Sequence, residues 1–335
     1  MQSPANGGAH ACVPVHRSIA LLIAALGAFH LPAARADYPD RPIRYIVPSA
    51  AGNGADISAR RLTAELATQM KAQFVIDNRP TAGGVIGVGM LARSPADGYT
   101  LGYANMVYLS IFPSLMSNLP YDIDRDLQVI GRFTSGQNLL AVRPGLPVNS
   151  VSELVNLARA NPDKLTFASS GNGTTLHLSG ELFKQMTGTR MVHIPYKAVQ
   201  QALTEIIAGQ VDFIFDNQPS IAPYAKAGRV RGLAVTGPAR SAIFPDLPTM
   251  NEAGVTGYEI TTWTGMMAPK GTPKEIVARL NAEIAKVCAS PAYQAKVAAT
   301  GSVCATGSVE DFVAFTKSER VKWGDIVRRS NAKID

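Results

Sequence analysis

The sequence predicts an α/β fold of two lobes with a ligand cleft between them. Its 335 residues are enough for two domains, each with its own core. Short β-rich segments alternate along it with helical segments, which is typical of parallel sheets. After Gly257 one more strand, 259–267, is followed only by helices, and these helices need a sheet to cover. The simplest such sheet is the one begun by the first strands, so the first lobe is predicted to be discontinuous.

Residues 1–36 predict a secretory signal peptide rather than part of the fold. The basic residue Arg17 precedes an apolar run, 18–29, that is too short to span a bilayer comfortably. An A-x-A motif ends at Ala36, so cleavage is expected after this residue. An uncleaved membrane anchor is the alternative. Cleavage would release an exported mature chain.

The first lobe begins with strands separated by helical segments. Residues 43–47 predict a strand, and residues 56–70 predict a helix with apolar side chains on one face. Further strands are predicted at 74–76 and at 99–103, the latter after a Pro-Ala-Asp-Gly turn. The glycine-rich segment 79–89 predicts a helix of small residues that packs closely on its neighbours. Its glycine spacing is not that of a dinucleotide-binding turn.

The second lobe, 138–255, repeats this alternation, and two crossings join it to the first. Its strands are predicted at 139–142, 166–168, 211–215 and 231–235. The crossings are predicted near 134–143 and 255–266. The first lobe therefore combines 37–137 with 256–335.

Two sequence patterns predict helix starts as capping boxes. Ser150 lies three residues before Glu153, and Thr272 lies three residues before Glu275, with a proline after the threonine. In such a box the hydroxyl accepts a backbone N–H and the carboxylate reaches back to the cap. Both patterns therefore predict that a helix begins directly after the hydroxyl residue.

Two glycine-rich turns, each between a strand and a helix, carry the strongest chemical signal. Glycine lets backbone N–H groups converge on one point, and a helix start adds free donors and partial positive charge. Such a turn suits a carboxylate or a phosphate, although a purely steric role for the glycines is the alternative. Neither turn contains Gly-Lys-Ser/Thr, so cleavage of a nucleotide phosphate is not predicted. The predicted ligand-binding residues are Ser49, Ala51, Gly52, Asn53 and Asp56 in the first turn, and Ser170, Gly171, Asn172, Gly173, Thr174 and Thr175 in the second.

Three further side chains complete the candidate ligand site. His177 lies in the first helical turn after the second glycine-rich turn, while Asp216 and Asn217 end a predicted strand whose end should face the cleft. The alternatives are packing for the histidine and turn formation for the other two. His193, in a strand-like run, is interpreted as structural. Trp263 is predicted to form a hinge or cleft wall, with core packing as the alternative.

Cysteine usage agrees with export. Cys12 leaves with the signal peptide, and Cys288 and Cys304 remain as an even pair. An oxidising compartment permits a disulfide between these two, and Gly301 permits the turn that would bring them together. The sequence has no C-x-x-C motif and no His/Cys ligand spacing, so a metal site is not predicted.

Charge and missing motifs exclude several classes of function. Lys and Arg number 32 against 25 Asp and Glu, but no basic run resembles a nucleic-acid-binding patch. No nucleophile elbow and no cofactor-binding motif is present. No cofactor is predicted, and the missing nucleophile, metal and cofactor motifs count against an enzyme. An enzyme that uses His177 and Asp216 as acid and base is one alternative, and a ligand-sensing receptor for a membrane signalling protein is another.

Motifs along the whole chain beyond residue 36 recur in the order of a known family. They lie in Tyr38–Gly52, Asp77–Gly87, Ala96–Leu101, Ser169–Phe183, His193–Lys197, Gly209–Val211 and Ala268–Pro273. This order resembles the Bug-type receptors, the periplasmic substrate-binding proteins of tripartite tricarboxylate transporters. The resemblance implies the two-lobed periplasmic-binding-protein (Venus flytrap) fold and capture of a small carboxylated solute.

The resemblance also implies how the solute is held and what receives it. One carboxylate would lie between the two glycine-rich turns, held largely by backbone donors and waters, and membrane transporter subunits would be the partners. We expect a monomer. The chain departs from the family at Asn53, where the first turn commonly continues with glycine, and we expect this side chain to alter which ligand fits.

Overall fold

The computed structural model describes residues 1–2, 7–9 and 38–330. The apolar run and cleavage motif of the expected signal peptide, and Cys12, lie outside the described residues. The chain divides into two compact units, Met1–Asp40 and Arg41–Asp335. In the first unit the Tyr38–Pro39 peptide bond is cis. Within the described residues, no helix is both long enough and apolar enough to cross a membrane.

The second unit alternates strands and helices. The strands are β1 (Ile43–Val47), β2 (Phe74–Asn78), β3 (Thr100–Asn105), β4 (Leu127–Val142), β5 (Thr166–Ser169), β6 (Val192–Pro195), β7 (Phe213–Asn217), β8 (Arg231–Val235), β9 (Thr261–Pro269) and β10 (Val303–Cys304). The helices are α1 (Gly54–Met70), α2 (Val85–Ala92), α3 (Phe112–Leu115), α4 (Ile123–Asp126), α5 (Val151–Ala160), α6 (Thr175–Thr187), α7 (Val199–Ile207), α8 (Gln218–Lys226), α9 (Lys274–Ala289), α10 (Pro291–Ala298) and α11 (Val309–Ser330). A 3₁₀ turn (Thr81–Gly84) precedes α2, and a π-helical turn (Val107–Ile111) precedes α3.

The strands form one ten-stranded mixed sheet in the order β2-β1-β3-β9-β4-β7-β5-β6, with β8 and β10 also paired to β4. Strand β1 is parallel to β2 and β3, and β5 is parallel to β6 and β7, as the alternating pattern predicts. Strand β9 is antiparallel to both β3 and β4, and β4 is antiparallel to β7. The antiparallel pairs arise because β4 and β9 pass between two groups of parallel strands.

Strand β4 changes partners along its length. Its residues 127–137 pair with β9, whereas 138–142 pair with β7 and β8. The sequence predicts only 139–142 as strand, because Arg132, Thr134 and two glycines interrupt the apolar pattern before them. The backbone is nevertheless extended there because β9 supplies a continuous partner.

The register brings the ends of both parallel groups to the same place. The last residue of β3, Asn105, lies opposite Thr264, which in turn lies opposite Thr134 of β4. The last residue of β7, Asn217, lies opposite Asn138 of β4. Strands β1–β3 run with β4 and strands β5–β7 run against it. The carboxyl ends of the two groups therefore converge on residues 134–138.

The returning chain meets β4 at the same point. Thr236, directly after β8, accepts the N–H of Asn138 through its hydroxyl at 2.8 Å and donates that hydroxyl to Ile260 O at 2.7 Å. The N–H of Gly237 donates to Gln137 Oε1 at 2.7 Å. These hydrogen bonds join β4 to the segment that follows β8, at the point where the chain crosses between the two groups of parallel strands.

Helices bury both faces of the sheet. Alternate β4 residues enter two apolar clusters: Leu140 packs in one with Phe183 of α6, and Leu139 in the other with Leu203 of α7. All of these side chains are buried, and each contributes roughly 1.5–3 kcal/mol by leaving water. Burial on both faces explains why the last residues of β4 form an unbroken apolar run.

One predicted capping box is confirmed and the other is wrong. Ser150 Oγ accepts the N–H of Glu153 at 3.1 Å and caps α5. Thr272 instead donates its hydroxyl to Pro269 O at 2.9 Å. Helix α9 begins after Pro273, which has no side-chain acceptor to offer as a cap.

The expected disulfide is not formed in this structure, in which Cys288 and Cys304 are free thiols. Pairing of β10 with β4 does bring Cys304 close enough to Cys288 to help raise the pKa of the Cys288 thiol. Cys288 also donates to Phe133 O at 3.4 Å. Burial raises the pKa of both thiols, and this disfavours the thiolate that must attack to form a disulfide.

Candidate functional site

The first glycine-rich turn links β1 to α1, and Asn53 caps the helix. Asn53 Oδ1 accepts the N–H groups of Ala55 and Asp56, each at 3.1 Å. The Asn53 amide also donates to Ser49 Oγ. Two of the N–H groups expected to face the ligand are therefore already occupied by this side chain.

Asp56, predicted to bind ligand, instead holds the turn in place from its buried side. Its carboxylate is buried and accepts the N–H of Gly52 at 2.8 Å, the Asn78 amide at 3.0 Å and the Arg60 guanidinium at 3.0 Å. Burial alone would raise the pKa of Asp56, but these hydrogen bonds outweigh it and hold the pKa below its usual value. Asp56 is thus a charged, fully engaged group that shapes the turn.

Backbone donors remain free on the outer side of this turn. Within the described part of the chain, the N–H groups of Ala50, Ala51 and Gly54 have no hydrogen-bond acceptor. Ala51 and Gly52 are exposed. The first turn therefore offers amides at its surface.

The second turn links β5 to α6, with Thr174 as the helix cap. Thr174 Oγ1 accepts the N–H of His177 at 3.4 Å and donates to Gly171 O at 2.8 Å. Gly171 and Gly173 have φ angles of 115° and 75°, which L side chains rarely adopt. The turn thus needs its glycines for backbone conformation, as the sequence suggests.

This second turn also keeps donors at its surface. Among the described residues, the N–H groups of Asn172 and Thr175 and the hydroxyls of Ser170 and Thr175 have no hydrogen-bond partner. Asn172 is exposed, whereas Thr175 is only 7% exposed at the start of the helix. The arrangement can hold an oxyanion with neutral donors.

His177 and Asp216 lie beneath this surface. His177 is 6% exposed, and its Nδ1 accepts the N–H of Gly173 at 3.1 Å. Asp216 is fully buried; its Oδ1 accepts the N–H of Asn217 at 2.7 Å, and its Oδ2 has no partner among the described residues. Burial raises the pKa of Asp216 to about 7. Of the three predicted side chains, Asn217 alone is partly exposed.

Sequence reasoning missed residues that hold the turns from behind. The Asn78 amide donates to Ser49 O at 3.0 Å, and the Tyr108 hydroxyl donates to Pro48 O at 2.6 Å. A Cβ on Gly84 would lie 2.3 Å from Pro48 O, so only glycine fits there. The position of Asn78 at the end of a strand could have identified it. No sequence signal points to Tyr108.

Trp263 packs in the core rather than in a cleft wall. It is 1% exposed and lies in β9, where its indole N–H donates to Glu319 Oε2 at 3.0 Å. The ring contacts Phe312 and Phe315 of α11 edge-on. Trp263 therefore fixes α11 to a strand that passes between the two groups of parallel strands.

Two groups of parallel strands, joined by shared strands and ending in donor-rich turns, define a two-lobed solute-binding protein. Residues 58–332 match the tripartite tricarboxylate transporter family receptor, TctC, and the chain belongs to this family. It is 33% identical over 317 residues to Protein BugT of Bordetella pertussis, an alignment covering 94% of this chain and 97% of that protein.

Solved structures agree with this assignment. Rpa4515 of R. palustris with adipate is 35% identical, covers 89% of this chain and 99% of its own, and has a TM-score of 0.83. MatC from Rhodopseudomonas palustris with bound malate is 28% identical, with coverages of 87% and 100% and a TM-score of 0.78. The predicted resemblance and the two-lobed periplasmic-binding-protein fold are confirmed. The chain is a periplasmic solute-binding receptor of the tripartite tricarboxylate transporter type.

Proposed function

We propose that this receptor holds a small dicarboxylic acid in a cleft between its lobes, with one carboxylate between the two glycine-rich turns. The convergence of the strand ends on residues 134–138 of β4 carries the proposal, because it aims both turns at one region. Adipate and malate, the ligands named for Rpa4515 and MatC, indicate the ligand class.

The chemistry of the turns supports a carboxylate held mainly by the backbone. Free N–H groups of Ala50 and Ala51 would meet one side of the anion, and those of Asn172 and Thr175 the other. The starts of α1 and α6 add partial positive charge. Among the predicted site residues, Ser49, Gly52, Asn53, Asp56, Gly171, Gly173, Thr174 and His177 would shape these turns rather than touch the ligand.

We propose that lobe 1 comprises 37–137 and 256–335 and that lobe 2 comprises 138–255. The change of partner along β4 supports this division, because Gln137 pairs with β9 and Asn138 with β7. Closure of the lobes around the ligand would bend the strands that join them. We expect a monomer that delivers its ligand to membrane transporter subunits and leaves it chemically unchanged.

We further propose export to the periplasm with cleavage after Ala36, which the motif there and the receptor family support. The intact mass of the exported protein should correspond to a chain that begins at Asp37. A full-length product that sediments with membranes would contradict cleavage.

The Thr175 hydroxyl provides the sharpest test of the site. Thr175→Val keeps the shape of the side chain but removes a donor to a charged acceptor, so malate or adipate should bind roughly tenfold to a hundredfold more weakly. Thr204→Val, on the exposed side of α7, is the matched control and should bind as wild type does. Calorimetry on both variants decides the matter. Equal affinity of Thr175→Val and wild type would exclude this hydroxyl from the site.

A further inference from the structure

Two histidine rings lie stacked behind the second glycine-rich turn. The ring centroids of His177 in α6 and His193 in β6 are 4.1 Å apart, with an interplanar angle of 21°. Phe167 of β5 stacks on the other face of this group, 4.8 Å from the His193 ring. These are the only histidines of the chain beyond residue 36.

Each ring is hydrogen-bonded to the turn. His177 Nδ1 accepts the N–H of Gly173 at 3.1 Å, so this ring carries its proton on Nε2 and is neutral. His193 Nε2 shares a hydrogen bond of 2.6 Å with Ser169 Oγ, which also accepts the N–H of Gly171 at 3.1 Å. The two rings thus form hydrogen bonds with the turn at two places, the Ser169 hydroxyl and the Gly173 N–H.

The hydrogen bond from Gly173 to His177 determines which backbone N–H groups of the turn stay available at its surface. The Gly173 N–H, directed inward to His177, fixes the peptide plane that joins Asn172 to Gly173. The neighbouring N–H groups of Asn172 and Thr175 are left without an acceptor in the described structure. Loss of the inward bond would free the turn to rotate these donors away from a ligand.

Few charged groups surround the rings. Glu181 Oε1 lies 3.9 Å from His177 Nε2 and pairs with Lys184 Nζ at 2.8 Å, both on α6. Strands β5 and β6 contribute Phe167, Ser169 and the second ring. Strand β7, which also packs on α6, carries the buried carboxyl of Asp216, but the shifts in the pKa of the two rings come from burial, Lys184 and, for His193, His177.

Burial, with a smaller contribution from Lys184, lowers the pKa of His177 to about 4. Burial, followed by His177 and Lys184, lowers the pKa of His193 to about 3. Both rings are therefore neutral at neutral pH.

We propose that His177 and His193 are positioning residues of the ligand site, which hold the second turn in its binding shape while His177 is neutral. This inference rests on the proposed function, because that function places the ligand carboxylate on this turn. Protonation would convert Nδ1 from an acceptor into a donor that faces the Gly173 N–H. If protonation acted only through charge, the positive ring would strengthen the binding of an anion. Loss of the Nδ1 acceptor should instead weaken that binding.

The first test needs no ligand and uses NMR of the isotope-labelled mature protein. At pH 7 the Gly173 amide should be protected from hydrogen exchange, and its chemical shift should follow the His177 titration below pH 5. In His177→Asn, whose carboxamide oxygen replaces Nδ1 and does not titrate, the amide should stay bonded throughout. A His177 ring that titrates near its ordinary pKa, with an unresponsive Gly173 amide, would overturn the proposal.

The second test distinguishes the effect of the His177 Nδ1 acceptor from the effect of aromatic stacking. His177→Phe keeps an aromatic ring but loses the acceptor, and it should bind malate or adipate about tenfold more weakly at pH 7. His177→Asn should bind within about threefold of wild type, because the acceptor is restored. Equal binding by His177→Phe and wild type would refute the positioning role. If neither acid binds the wild type, the proposed ligand class is wrong, and the NMR test still decides the role of the pair.

Discussion

Asn53 determines which backbone groups of the first turn remain free. Its side chain takes two amides of α1 and bonds Ser49, and Asp56 takes the N–H of Gly52. Among the described residues, the amides of Ala50, Ala51 and Gly54 are left without an acceptor and are available to the proposed ligand. A glycine at position 53 would leave the first amides of α1 open as well. Asn53 therefore reduces the number of free donors that the first turn offers to the proposed site.

Asp216 makes folding stability depend on pH. Its pKa is about 7 in the folded protein, above the ordinary value of 3.8, because the carboxyl is buried. The folded state therefore favours the protonated form, and stability is lost as pH rises through 7. Asp216→Asn retains an acceptor for the Asn217 N–H and cannot ionise, so its stability should exceed that of wild type by a margin that grows from pH 5 to pH 8.

Thermal melting across this pH range measures the Asp216 effect. Asp246→Asn is the matched control, because Asp246 is exposed. Its margin over wild type should stay constant with pH. A margin that stays constant for Asp216→Asn as well would contradict ionisation of a buried carboxyl.

At the scale of elements, Glu319 binds the last helix to β9, a strand that lies between the two groups of parallel strands. Its Oε2 accepts the indole N–H groups of Trp263 in β9 and Trp323 in α11, each at 3.0 Å. Glu319 is 5% exposed and both rings are buried. Glu319→Ala would leave two buried donors without an acceptor, and it should lower the free energy of unfolding by about 2–4 kcal/mol.

Urea unfolding followed by tryptophan fluorescence tests this fastening directly, because these two are the chain's only tryptophans. Glu310→Ala, an exposed position in the first turn of the same helix, should change the free energy by less than about 0.5 kcal/mol. Similar losses in the two variants would mean that the carboxylate does not secure the indoles.

Elements with strong local patterns could be predicted from the sequence, and those that depend on distant partners could not. The strand at 231–235 is confirmed with its bounds, because an apolar run ends in tight turns there. Residues 127–137 of β4 lack such a pattern and are extended because β9 pairs with them. Thr272 has the pattern of a cap, but its hydroxyl bonds the preceding turn instead.

The sequence identifies the two turns of the candidate site but not their internal hydrogen bonding. Glycine spacing identifies both turns, and their residue types predict hydrogen-bond donors. The sequence cannot show which donors are consumed internally, and so it placed Asp56 and His177 among the ligand contacts. Their partners, Asn78 and Gly173, became evident only once the chain was folded.

At the scale of the whole molecule, the directions of the strands explain how one sheet creates one binding region. Strands β1–β3 run with β4 and strands β5–β7 run against it, and the register directs the carboxyl ends of both groups toward residues 134–138. In the proposed site, donor-rich turns from distant parts of the sequence hold one carboxylate with neutral donors. Recognition should then depend on the carboxylate itself, because neutral donors at helix starts bind an anion far better than an ester.

The central claim is therefore tested by calorimetric titration of the mature protein with short-chain dicarboxylic acids and with the dimethyl ester of each acid that binds. Each ester presents the same carbon skeleton without the charge. Loss of charge-assisted hydrogen bonds should weaken its binding by a hundredfold or more, which corresponds to about 3 kcal/mol. An ester that binds as tightly as its acid would contradict a carboxylate site formed by the two turns.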